Sequence, residues 1–244
     1  MNKKKTTTTI LCLLFGSILM AQDSPVVNSG AYSKVYKGKE AAFEKAVSAH
    51  VSKWHGEGQW NQFGSKVMSG PRSGQYFIGT TNHYWKDYDE RKTSDSHDKD
   101  WERIFNTYVE ENSGMRYYVK VPDASYNDRR SPMFLLTYYN LSPAAVGKKL
   151  DLIRKAKEAA EKTKYERSWG VYQVRGANRV LAIAFRMDGM VDMGPGKMSA
   201  FEMWKKTFGE ETASEMADNW YSTHWSSEEE IHVLIESMTT PPTN

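Results

Sequence analysis

The chain has 244 residues, a formal net charge of +3, eight tryptophans and a single cysteine. Three lysines fall within the first five residues, so beyond residue 21 bases and acids balance at 30 each. A balanced chain lacks the basic footprint of a nucleic-acid binder. With its only cysteine at position 12, the remainder has no disulfide framework and depends on packing alone.

Residues 1–21 read as a secretory signal peptide: Met1-Asn-Lys-Lys-Lys5, an apolar run from Ile10 to Met20, and the small residue Ala21 at the cleavage position. The expected location is therefore outside the cytoplasm, periplasmic or secreted. No later apolar run is long enough to span a membrane. Ala31 to Tyr36 predicts a strand, and Phe43, Val47, Val51 and Trp54 mark a helix packed by one stripe, ended by Gly56 and Gly58. Lys66–Met68 and Gln75–Thr81 predict two strands around the turn residues Gly70-Pro71 and Ser73-Gly74. A charged segment leads to a helix bearing Trp101, Ile104, Phe105 and Tyr108, and Met115–Val121 is strand-like. Pro122–Pro132, polar and rich in turn formers, reads as a linker.

The same order then repeats. Met133–Leu141 is a strand, and Ser142-Pro143 opens a helix on Val146, Leu150, Ile153 and Ala160. Trp169–Val174 and Leu181–Phe185 flank a hairpin at Gly176-Ala-Asn178. Ser199 and Glu202 form a capping box before a helical region reaching about Trp225, and Ile231–Ile235 is the last strand. Each copy is βαββαβ. The expected fold class is α+β, two ferredoxin-like units over 22–127 and 128–244.

At the level of element order, residues 31–238 resemble the dimeric α+β barrels, in which two such units join their sheets. Trp85 soon after the third strand and an aromatic-bearing second helix resemble the stress-responsive and antibiotic-biosynthesis monooxygenase-like branches. The resemblance implies an intrachain barrel, as a monomer or as a homodimer of such chains. Its haem-degrading members imply an Asn on a first strand, a Trp after a third and a His on a second helix. Trp85 and His97 match in the first copy, Asn140 and His224 in the second, and neither copy carries the full set.

Candidate site residues follow from chemistry. His50 lies on an apolar helix stripe, where an imidazole serves as ligand, proton shuttle or satisfied core residue. His83, Asn140 and His224 complete the catalytic suspects. His97, with Asp95, Asp98 and Asp100, reads as part of a capped, acidic helix start. Trp54, Trp85, Trp101, Tyr138, Trp169 and Trp204 are expected either to fill two small cores or to wall a pocket for a flat, apolar ligand. Met187, Met190 and Met193 carry soft thioethers suited to Cu(I), although the glycines around them read better as a mobile loop. No cofactor is expected, with haem and copper as alternatives. The favoured function is binding of a small hydrophobic or aromatic molecule in a Trp-lined cavity. The alternatives are a monooxygenase-like enzyme and an interaction module.

Overall fold

Alternating side chains along each strand leave every sheet with two faces to cover, and the chain covers them in different ways. A computed structural model describes residues 25–56, 60–176 and 181–241. The leader at 1–21, Cys12, and most of the hairpin read at 176–178 lie outside the described residues. The first unit comprises β1 (Val27–Val35), α1 (Glu40–Trp54), β2 (Gln62–Val67), β3 (Tyr76–His83), a short α2 (Trp85–Glu90), α3 (Asp95–Tyr108), β4 (Val109–Asn112) and β5 (Arg116–Lys120). The second comprises β6 (Met133–Asn140), α4 (Pro143–Thr163), β7 (Ser168–Arg175), β8 (Leu181–Met187), α5 (Ala200–Phe208), α6 (Glu210–Ser222) and β9 (Ser226–Leu234).

Within each unit the strand order is that of a ferredoxin-like sheet, β5-β1-β3-β2 and β9-β6-β8-β7. The units then join edge to edge: β2 pairs with β9, Ser65 opposite Leu234, and β5 with β7, Tyr117 opposite Arg175. Both junctions are antiparallel. They close eight strands into a barrel, with β4 hanging as a short extra strand on β1. Closure removes the exposed edges that two separate sheets would present.

Three cores follow from this geometry. One cluster draws on strands alone, including Tyr32, Val67, Phe77, Tyr118, Leu136, Tyr138 and Tyr172, and so fills the barrel lumen. The other two lie outside the barrel. α1 and α3 cover the first sheet through Phe43, Val47, Val51 and Ile104. α4, α5 and α6 cover the second through Leu150, Ile153, Met203, Trp204 and Met216. One part of the lumen is plugged by a polar network. Tyr138 shares hydroxyl hydrogen bonds with Tyr32 at 2.8 Å and Tyr118 at 2.7 Å, and the Tyr32 hydroxyl donates to Glu230 at 2.9 Å. Glu230 also meets Arg72 at 2.8 Å.

One segment carries more structure than the sequence reading gave it, and another departs from that reading. The linker at 122–132 is pinned: Ala124, Ser125 and Tyr126 are buried, and Tyr126 exchanges backbone hydrogen bonds with Trp169. The helical region after Ser199 is two helices, because Gly209 sits at φ +88, where a right-handed helix cannot continue.

Candidate metal centre

The site lies between the helices and sheet of the first unit. His50 belongs to the buried stripe of α1 and is 1 % exposed. His55 follows the end of that helix at φ −129°, ψ 41°, a break in helical geometry that turns its ring back inward to 3 % exposure. His97 stands in the first turn of α3, where Ser94 caps its backbone N–H at 3.2 Å. The three rings meet. One nitrogen from each lies within 4.8 Å of those of the other two.

The hydrogen bonds on the far side of each ring decide what the near side can do. The Nδ1 of His55 is 2.6 Å from the Trp60 carbonyl oxygen, which only accepts, so that nitrogen carries the proton. The Nδ1 of His50 is 2.9 Å from Asp100, whose carboxyl is held down to about 2 by hydrogen bonds from Arg103 and His50. The Nδ1 of His97 is 2.8 Å from Asp98, a carboxylate held low by His97 and Thr93. Every Nδ1 is thus a committed donor. Burial also opposes protonating His50 and His55: it lowers His55 to about 4, and it lowers His50 despite Asp100.

The Nε2 atoms of His50 and His55 consequently face each other at 3.3 Å with a lone pair on each. Two acceptors at that distance repel unless a cation sits between them. Imidazole nitrogens bound at 2.0–2.1 Å to a tetrahedral ion are about 3.3 Å apart. The orienting carbonyl and carboxylates are the outer partners that metal-bound histidines use.

A cavity of about 370 Å³ opens beside the rings, lined also by Gln62, Thr80, Tyr88, Arg91 and Trp101. Gln62 alternates with the lumen-facing Phe63 on β2, and its buried amide Nε2 has no hydrogen-bond partner. Arg91 lies over the Trp60 ring at 4.6 Å, and burial lowers its pKa.

The predicted residues scatter around this centre. His50 is in it. His83 stacks on Trp60 at 3.7 Å and so braces the residue whose carbonyl holds His55. Asn140, at the end of β6 in the second unit, donates to Ser226 at 2.8 Å. His224 lies 3.0 Å from the Trp220 carbonyl oxygen and 3.5 Å from the Lys149 amine. Of the aromatic set, Trp101 lines the histidine cavity; Trp169 and Trp204 are second-unit core; Tyr138 is in the lumen plug; and Trp85 is 39 % exposed. Met187 is buried, whereas Met190 and Met193 are exposed. The sequence reading entered no metal site among the histidines and left His55 out altogether. Its only signal was proximity to His50, five residues away, a spacing that a continuous helix would not bring to one face.

Haem does not fit these residues. A haem takes axial ligands across a flat macrocycle, and three imidazoles converging on one point leave no plane for it. In the second unit, Trp204, Trp220, Met203 and Met216 pack the space between helices and sheet beside His224.

No family model matches the chain, and no curated protein is significantly similar to it. Solved structures do match in fold. A candidate monooxygenase from Lactobacillus acidophilus NCFM superposes with a TM-score of 0.57 at 11 % identity, covering 89 % of this chain and 96 % of that one. A counterpart from Fusobacterium nucleatum gives 0.55 at 11 % identity, covering 87 % and 93 %. A mutant chlorite dismutase from Candidatus Nitrospira defluvii gives 0.53 at 8 % identity, covering 88 % and 95 %. The shared fold is an α+β barrel of eight antiparallel strands, here closed within one chain. At these identities the likeness concerns architecture, and chemistry must be argued from the site.

Proposed function

We propose that the protein is a metal-dependent enzyme: His50, His55 and His97 hold one divalent transition ion, which acts on a small organic molecule in the adjoining cavity. The observation that carries this reading is the 3.3 Å approach of two Nε2 atoms whose rings each meet an oxygen acceptor at Nδ1. Imidazole-only donors suit zinc, copper, iron or nickel. With three neutral ligands a bound ion would keep its full charge, and the chemistry it would supply is to acidify water and polarise a carbonyl. Gln62 supplies a buried donor for a substrate oxygen, and the Tyr88 and Thr80 hydroxyls, 3.3 Å apart, supply further polar contacts. With residues 1–21 read as an export signal, the enzyme would load its metal outside the cytoplasm. A second reading, oxygenation of a small molecule, is favoured by the monooxygenase names of two fold neighbours and would use the same cavity.

Metal analysis of the full chain purified without chelators, followed by Co(II) titration of the stripped protein, tests the proposal. One ion per chain is expected. His50→Ala, His55→Ala and His97→Ala should each abolish tight binding while the circular dichroism stays native. Asp100→Asn should weaken it 10- to 100-fold. Metal-dependent hydrolysis of 4-nitrophenyl acetate, lost in His97→Ala, would support turnover. A wild-type chain that takes up neither Zn(II) nor Co(II) would overturn the reading.

A further inference from the structure

The end of the lumen away from the Tyr32–Tyr138–Glu230 plug is open. It holds a cavity of about 450 Å³ on the lumen side of β2. The volume is in the range of small-molecule sites. Its walls combine two chemistries. Phe63, Phe77, Phe134 and Leu136 give it an apolar interior, and no tryptophan lines it.

The charges sit together on one side. Asp128, at 8 % side-chain exposure, receives Arg186 on Oδ1 through Nε and Nη2, both at 2.7 Å, and Lys120 on Oδ2 at 2.7 Å. Arg186 also donates to the Tyr172 hydroxyl at 3.0 Å, which fixes the guanidinium in the wall. Two partly buried cations thus share a single carboxylate. The two other cations of the lining, Arg129 and Arg130, are matched at the surface by Asp188 and Glu236. Asp128 is the only acid among the described lining residues. The wall keeps one positive charge beside an apolar chamber, where the cost of an unmatched charge is high and a second anion would relieve it.

We propose that the open end of the barrel binds an amphipathic carboxylate, with its anionic head on Lys120 and Arg186 and its apolar body in the lumen. The head completes the charge balance that Asp128 leaves unfinished. The body lies against Phe63, Phe77, Phe134 and Leu136. Affinity then depends on both parts, and a neutral molecule of equal length binds less well.

The test is calorimetric titration of the full chain with octanoate, decanoate and 1-decanol. Decanoate should bind at least tenfold more tightly than decanol. Affinity should rise about fourfold for each methylene added from octanoate to decanoate, as expected for buried hydrocarbon. Lys120→Met keeps the Asp128–Arg186 pair and therefore the fold. It should reduce decanoate affinity about tenfold and leave decanol unchanged. Equal binding of decanoate and decanol, no binding of either, or an unaltered decanoate affinity in a folded Lys120→Met protein would each overturn the proposal. The titrations are run on metal-stripped protein, so failure here is distinguishable from failure there.

Discussion

Lys149 shows how much a single residue's surroundings can change its chemistry. It is fully buried on α4, donates to the Trp220 carbonyl oxygen at 2.7 Å, and lies 3.6 Å from the Trp220 ring centroid. Burial lowers its pKa from the ordinary 10.5 to about 7. Between those two values the unfolded chain binds the proton and the folded chain has released it. Its contribution to stability therefore rises with pH across that window, and the cost of the buried charge is complete below about 7. Lys149→Met should raise the Tm at neutral pH and flatten the rise of Tm between pH 7 and 10, measured by differential scanning fluorimetry. An unchanged slope would place the titration elsewhere. The same scale explains why the histidine cluster was only half legible. His50 stood out because a polar ring on an apolar stripe breaks a pattern. His97 was hidden among aspartates that a helix start would carry anyway. His55 sits just past the last helical turn, and its inward aim comes from a backbone departure that no residue type announces.

At the scale of elements, glycines separate sites of close approach from sites of mere flexibility. A Cβ on Gly79 of β3 would fall 1.8 Å from the Ser29 carbonyl oxygen of β1, so a side chain there must force the two strands apart. Gly147, exposed on α4, has open space around its missing Cβ. Gly79→Ala should therefore cost about 3 kcal/mol, whereas Gly147→Ala should gain about 0.5–1 kcal/mol through helix propensity. Urea denaturation of the two variants reads both. Elements with local signals were legible: Pro143 does open α4, and the Ser199–Glu202 capping box does open α5. Ser142, by contrast, makes no side-chain cap bond. How the linker is held was not legible, for a physical reason. Polar, turn-rich residues at 122–132 are held by a long-range pairing to Trp169 and by the ion pairs of Asp128, and neither leaves a mark in local composition.

For the whole molecule, the repeat of element order made two ferredoxin-like units legible in the sequence, and their closure into one barrel was implied by the resemblance to dimeric α+β barrels. Which edges meet, β2 with β9 and β5 with β7, depends on pairings between distant residues that one sequence does not display. Those junctions make the halves interdependent. Expressed alone, residues 25–127 and 128–241 should each self-associate, since each exposes two strand edges and half of the lumen. Refolded together they should yield a one-to-one complex by size-exclusion chromatography. Two well-behaved monomeric halves would mean that closure contributes little.

β2 has a further consequence. It is a party wall one strand thick, with Gln62 turned to the histidine chamber and Phe63 to the lumen. Any occupant that shifts this strand is felt on both sides. By linkage the effect must be mutual: whatever a guest in the barrel does to the affinity for an ion, the ion does equally to the affinity for the guest.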